Sequence, residues 1–448
     1  MTQKFDIVIV GSGNAGFGVS AVASEAGKYV AFIEELDFGG TCPNRGCTPK
    51  KVLVAAAHAL HEIELAPVHG IEVGKVTLDW EKLITRKENM IDFIPGAMKG
   101  LAEKRGTVFL GSAKFTGPNT IDVDGTQIEG ENIVIATGSK PRPLPIPGAE
   151  LMITSDEVLS DKVLPGEVVF IGGGVIAMEF SHVYARAGAK VTILEAMPQL
   201  LPRMDADAVE ILKQETERLG VTIKTDVRIN GISKADGKLE VSYSREGKDQ
   251  TITADRVVNG TGRVANVDQL NLDAANISHD GIRIEVDEYL NSVSNPAVWV
   301  AGDALVHTAQ LSPLATYEGR LVAHNIINGP EKKPDYTANA SAVYTVPALA
   351  TVGLTEQEAN DQGLNVEVST NDMTGWFSAK FYSETAAWAK VIINKDNDQI
   401  VGAHMVGHHG EELIHLFALA IRHKITASAL KDTPFAYPTF SSDLKSMF

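Results

Sequence analysis

Two short apolar runs, each followed at once by a glycine cluster, organise the hydrophobic pattern of this chain. Phe5-Asp-Ile-Val-Ile-Val10 reads as a buried parallel strand. Gly11-Ser-Gly-Asn-Ala15-Gly16 follows, then a helical pattern to Ala26, then a second strand from Tyr29 to Ile33 that ends in Glu34. This is a βαβ unit carrying a dinucleotide fingerprint. Gly11 makes the tight turn, Gly13 lets a pyrophosphate approach the backbone, and Gly16 lets helix and strand pack closely. Glu34 would bind ribose hydroxyls.

The pattern then repeats. Val168 to Ile171 is a strand, Gly172-Gly-Gly174-Val-Ile176-Ala177 the turn, and Met178 to Ala187 the helix; the strand Lys190 to Leu194 ends in Glu195. Ala177 replaces the third glycine, which the fingerprint allows. In both copies the acid follows the first glycine by 23 positions, Glu34 after Gly11 and Glu195 after Gly172. Two such units imply two dinucleotides, or one coenzyme passing electrons to another. A carboxylate at Glu195 accepts from a free 2′-hydroxyl and repels a 2′-phosphate, so NADH is expected over NADPH. The nearest arginine, Arg203, lies eight residues on.

Shorter signals surround these units. Asn132-Ile-Val-Ile-Ala-Thr-Gly138 is a strand ending in a small-residue turn, and Arg256-Val-Val-Asn-Gly-Thr-Gly262 resembles it. Val298-Trp-Val-Ala-Gly-Asp303 is a strand whose end presents an aspartate. From about residue 335 alternating strands such as Ala389 to Asn394, then a helix near Glu411 to His423, read as a separate α+β domain.

Composition narrows the class. The 448 residues are 44% apolar, with a formal net charge of −17 that argues against nucleic acid and anionic membranes as partners. No early basic-then-apolar segment and no run of membrane-spanning length is present, and a reducing cytoplasm is the expected setting. The only cysteines, Cys42 and Cys47, fall in Gly39-Gly-Thr-Cys-Pro-Asn-Arg-Gly-Cys-Thr-Pro-Lys-Lys51, ahead of a helix-prone stretch from Val52 to Glu64. If that helix begins near Pro49, Cys47 sits at its positive end beside Lys50 and Lys51, which favours a thiolate. Such a pair suits dithiol–disulfide cycling. Ordinary burial, a structural disulfide, or zinc completed by His58 and His61 are the other readings of the pair.

Together, the two fingerprints, the Gly-Gly-Thr-Cys…Cys segment, the Ala-Thr-Gly turn and the Gly-Asp turn resemble the flavoprotein disulfide reductases. That family includes dihydrolipoamide dehydrogenase, glutathione reductase and mercuric reductase. The resemblance implies an α/β fold with two Rossmann-like domains, for FAD and NAD(P), plus a C-terminal α+β dimerisation domain. Implied boundaries are 1–147 and 266–332 for FAD, 148–265 for NAD(P), and 333–448 for an interface domain that makes a homodimer. Tyr344 to Gly353 resembles the opening of that last domain.

It further implies that Cys47 lies against the flavin while Cys42, the interchange thiol, attacks the substrate. A family lysine would pair with Glu179, and both Lys50 and Lys51 fit the lysine. Asp303 would bind the ribityl chain, and Gln310-Leu311-Ser312-Pro313 would lie along the isoalloxazine edge. The remaining cofactor contacts would come from Gly11, Gly13, Ala15, Gly16, Glu34, Gly40, Thr41, Ala113, Thr137, Gly138, Ser139, Gly262, Arg263 and Gly302, and from Gly172, Gly174, Ile176, Ala177, Glu195 and Val227. Gly262-Arg-Val-Ala-Asn266 is similar to a family Gly-Arg-x-Pro-Asn turn, with alanine for proline. No resident metal is expected.

The chain departs from the family at its end. Where disulfide reductases carry His-Pro-Thr with a glutamate five residues after the histidine, this chain has Tyr437-Pro-Thr-Phe-Ser-Ser442-Asp443. A tyrosine with an ordinary pKa near 10 is a poor proton shuttle at neutral pH. The expected acceptor is a low-molecular-weight disulfide. The alternative is a metal ion or quinone, since tyrosine at this position resembles mercuric reductase, although that family's C-terminal cysteine pair is absent. A third reading is a flavoprotein subunit without catalytic activity. His409 or His415 could replace the missing acid. Arg45 and Pro43, within the Cys-x4-Cys segment, stand where the family has small apolar residues, and Arg45 could attract an anionic substrate.

Overall fold

The computed structural model describes residues 2–306 and 308–448, and the chain divides into two compact units, each assembled from three separate segments. The first unit comprises residues 1–50, 86–142 and 263–335. Its seven-stranded sheet is built on Gln3–Val10, which pairs in parallel with Val30–Glu34 on one side and with Thr126–Ile135 on the other. Val298–Val300 adds to Thr126–Ile135 in parallel, so a strand from late in the chain completes a sheet begun by the first residues. The buried runs Ile7–Val10, Val30–Ile33 and Ile133–Ile135 form the core. Continuous apolar runs suit strands buried on both faces.

Two helices of this unit approach each other at backbone distance. On the Asn14–Glu25 helix, Gly18 faces the Thr316 carbonyl, and on the Ser312–Asn328 helix, Gly319 faces that of Ala15. A Cβ at Gly319 would lie 2.1 Å from the Ala15 oxygen, so only glycine fits there.

The second unit comprises residues 51–85, 143–262 and 336–448. Its parallel sheet runs Thr222–Lys224, Lys190–Leu194, Glu167–Ile171, Arg256–Asn259. A three-stranded antiparallel sheet spans Arg228–Ala235, Lys238–Arg245 and Lys248–Ala254. The C-terminal segment forms a five-stranded antiparallel sheet, backed by the Gly410–His423 helix over Leu413, Ile414 and Phe417.

The helix expected from about Pro49 starts two residues earlier and runs Cys47–Leu65. Proline is tolerated there because first-turn N–H groups have no partner within the helix. Cys42 lies in a short helical turn of its own, Thr41–Arg45. The Val298 strand is shorter than expected, ending at Val300 before a 3₁₀ turn, Gly302–Ala304. No described helix is long and apolar enough to cross a membrane.

Candidate active site

Both glycine turns have the same internal wiring. In the first, Gly11 takes φ +106°, and a Cβ there would lie 2.3 Å from the Ala136 carbonyl. In the second, Gly172 takes φ +97°, with its Cβ direction 2.5 Å from the Gly260 carbonyl. Glu34 accepts from the Ser12 N–H at 2.8 Å and from the Leu36 N–H at 2.9 Å. Glu195 accepts from the Gly173 and Met197 N–H groups, the same two positions relative to its own turn. Each carboxylate is thereby oriented, with lone pairs remaining for a ribose. Val227 donates its N–H to the Glu195 carbonyl, and Ala177 is fully buried against Gly260. Gly174 is the extended N-cap of the Val175–Arg186 helix, with Ile176 half-buried in its first turn.

The surroundings of the first turn fit an FAD. Gly13, the extended N-cap of the Asn14–Glu25 helix, has only the Gly40 Cα, at 3.8 Å, near where a Cβ would be. Neither of the two fingerprint helices has a side-chain cap, which leaves their N-terminal N–H groups for phosphate. The Thr137 hydroxyl is buried without a hydrogen-bond partner. Gly16 sits over the Gly11 carbonyl, and Gly40, at φ +69°, over Gly13. Ala15 is buried against Gly302, whose N–H donates to the buried Glu318 at 2.8 Å.

Ser139, Asp303 and Arg263 form a relay. The Ser139 hydroxyl donates to Asp303 at 3.0 Å and accepts from Arg263 at 2.9 Å. Burial pushes the Asp303 carboxyl up, against the pull of Ser139 and Arg263. Gly138 accepts from the Asn266 N–H at 2.9 Å. Thr41 opens the short helical turn, Ala113 is buried at the start of its strand, Gln310 is exposed, and Leu311 caps the Ser312–Asn328 helix. Gly262, at φ +98°, ends the second segment of the other unit.

Cys42 and Cys47 are not joined in a disulfide; Cys42 is half-buried and Cys47 exposed. The Cys42 thiol is drawn down to about 6, chiefly by a hydrogen bond from the Cys47 thiol. Burial opposes the shift; the Ser312 hydroxyl and the Cys47 backbone N–H reinforce it, and the charge of Asp303 works against it. Asn14 holds Ser312 in turn, donating to both its hydroxyl and its carbonyl. Asn14 carried no signal in the sequence beyond its place in the glycine turn. The sequence argument for an activated thiol concerned Cys47; it did not anticipate the acidity of its partner, Cys42. Lys51, counted toward that activation, stands 3.8 Å over the Tyr344 ring and 3.7 Å from Glu411. The buried Glu179 accepts from the Tyr344 N–H at 2.9 Å, so Tyr344 touches both Lys51 and Glu179. Lys50, half-buried, donates its N–H to the Gly46 carbonyl.

Arg45 pairs with Asp37 at 2.7 Å, so its charge is already engaged by a carboxylate. Tyr437 is 73% exposed. Ser442 bonds back to Thr439, and Asp443 accepts from Ser378, so neither is directed to the tyrosine. His409 is pushed down by burial and by His408, and His415 is exposed. Among the described residues, no group of three or more His, Cys, Asp and Glu side chains could hold a metal ion.

Known proteins match this architecture along nearly its whole length. The chain is 32% identical over 441 residues to a glutathione reductase of Burkholderia cepacia, covering 98% of this chain and 97% of that protein. To a dihydrolipoyl dehydrogenase of Chlamydia pneumoniae it is 31% identical over 448 residues, covering 98% and 95%. The solved structure of a Cu(II) complex of RclA, an HOCl-induced flavoprotein disulfide reductase from Escherichia coli, superposes with a TM-score of 0.88 at 26% identity, covering 100% and 99%. Residues 339–448 match the dimerisation domain of the pyridine nucleotide-disulphide oxidoreductases. Residues 5–319, which carry both glycine turns and both cysteines, match the family's main domain, and the chain belongs to the pyridine nucleotide-disulphide oxidoreductases, FAD-dependent enzymes that use NAD(P)H.

Proposed function

We propose that this enzyme is an NADH-preferring homodimeric reductase that delivers two electrons through Cys42 and Cys47 to a low-molecular-weight disulfide in a reducing cytoplasm. The observation that carries this is the hydrogen-bonded Cys42–Cys47 pair with its acid Cys42 thiol. Bound FAD supplies the two-electron exchange between nicotinamide and sulfur. It would be held by the Gly11 turn, Glu34, Ser139 and Asp303, with the nicotinamide coenzyme on the Gly172 turn and Glu195. The Cys42 thiolate attacks one sulfur of the acceptor, breaking its S–S bond, forming a mixed disulfide and releasing the first thiol. Cys47 then attacks the Cys42 sulfur, closing the Cys42–Cys47 disulfide and releasing the second thiol. Two electrons from NADH reopen that disulfide, so NADH, one proton and one disulfide become NAD⁺ and two thiols. NADH preference is supported by the orientation of Glu195, and the dimer by the family match of residues 339–448.

Cys42→Ser should lower turnover on glutathione disulfide, lipoamide and other small disulfides by at least about 10³-fold, since the attacking sulfur is lost. Unchanged turnover on every disulfide that the wild type reduces would refute the route.

A second reading ends the same electron path on a metal ion or quinone. It is favoured by Tyr437, which lacks a histidine's proton-transfer capacity, and by the copper named in the RclA structure. A turnover screen with NADH and NADPH against disulfides, Cu(II) and quinones separates the two.

A further inference from the structure

Glu384 lies between the Phe377–Tyr382 helix and the Trp388–Asn394 strand, 7% exposed. His408 Nδ1 stands 3.0 Å from one of its oxygens and His61 Nε2 3.8 Å from the other. His61 is 2% exposed, and neither ring nitrogen has a hydrogen-bond partner. These groups share a cavity with His58, His409 and Glu411.

Three neighbouring carboxylates have permanent cations. Glu64 has Arg186 at 2.9 Å, Glu215 has Arg218 at 2.6 Å, and Glu411 has Lys51 at 3.7 Å. Glu384 differs: among the described residues, the groups within ion-pair distance of it are imidazoles. Arg218 reaches it only at longer range, and the exposed Glu62 adds to the field at His408. Burial works against the Glu384 charge, but His408 and His61 outweigh it and hold the carboxyl near 2. Burial likewise opposes the His408 cation, and Glu384 overrides it, raising that histidine. Burial pushes His58 and His409 the other way, toward neutrality. The His408 ring stacks on Tyr382 at 4.8 Å and Phe440 at 5.3 Å, aromatic faces that favour a cation.

His61 and Lys51 both belong to the helix whose first residue is Cys47. We infer that Glu384 is a positioning residue that clasps the Cys47–Leu65 helix to the C-terminal sheet, through His61 and His408, only while His408 carries a proton. Without that proton a buried carboxylate is left uncompensated, the condition that most weakens a buried ion pair. The clasp is complete below the ordinary histidine range and is lost as pH rises through the raised value of His408. Loss of the Glu384 charge lies far lower, near pH 2. As a control on reactivity the inference rests on the redox reading of Cys47.

Hydrogen exchange of amides 52–65 in the FAD-loaded protein tests it without any turnover. Corrected for intrinsic rates, wild-type protection should fall about tenfold between about pH 6 and pH 9. Glu384→Gln should already be at the low level at pH 6 and show no slope. A flat wild-type profile, or a Glu384→Gln protein that keeps the wild-type slope, overturns the clasp. If that variant does not fold, the wild-type slope and its loss in His408→Gln decide. With NADH and a chromogenic aryl disulfide, the wild-type to Glu384→Gln ratio of kcat should drop from about 10 near pH 6 to about 1 near pH 9. A ratio constant with pH overturns the positioning role. Failure of the redox reading would instead abolish turnover in both proteins and leave the exchange slopes intact.

Discussion

The Asn14 amide donates to the hydroxyl of Ser312, 298 positions further along the chain, and the same hydroxyl supports the Cys42 thiolate. Thiol acidity at the start of the chain therefore depends on a residue that becomes available only in its last third.

Ser312→Ala should raise the Cys42 pKa from about 6 toward the ordinary thiol value by about one unit, the size of one hydrogen bond to a charged group. Alkylation of Cys42 by iodoacetamide, followed across pH by peptide mass spectrometry, reads this directly. An unmoved midpoint removes Ser312 from the account.

Gly11 and Gly13 should respond differently to alanine. Gly11→Ala meets a backbone oxygen at 2.3 Å in a left-handed conformation, so it should lower Tm and abolish FAD retention; the strain alone is about 1–3 kcal/mol. Gly13→Ala has room within the protein and should keep a near-wild-type Tm while binding FAD more weakly, because the added methyl occupies the path of the pyrophosphate. Flavin absorbance per chain and thermal melts distinguish the two.

Glu195→Ala should narrow the preference for NADH over NADPH by about 10–100-fold in kcat/KM, the value of a lost ribose bond and a removed like charge. The ratio of the two coenzymes under initial-rate conditions measures it.

Tyr437→His should raise disulfide turnover by about 10-fold or more at neutral pH while leaving quinone or Cu(II) reduction unchanged. A gain smaller than the full 10²–10⁴ of a general acid is expected, since Asp443 is held by Ser378 and cannot orient the new imidazole. No gain on any disulfide would show that this position does not limit proton delivery.

The nucleotide turns were legible in the sequence because what they require is local. A strand, a glycine that must adopt positive φ, and an acid one strand later all fall within one short stretch. The alternation beyond residue 335 likewise announced the C-terminal sheet. What decides the chemistry was not local. Cys42 is favoured by Ser312, and Lys51 is drawn to Glu411 and Tyr344, partners hundreds of residues away. Helix position misled as well: Pro49 looked like a start, yet as an early-helix residue it allowed the helix to begin at Cys47.

The close crossing at Gly18 and Gly319 has a consequence for biosynthesis. A nascent chain that has emerged from the ribosome only through residue 142 still lacks Val298–Val300 and the Ser312–Asn328 helix, so Ile133–Ile135 has no partner on one side and the face of the Asn14–Glu25 helix that carries Gly18 is uncovered. Translation must pass residue 328 before this half of the enzyme can close, and an early stop codon would release a fragment with an open sheet edge, prone to aggregation rather than to partial function.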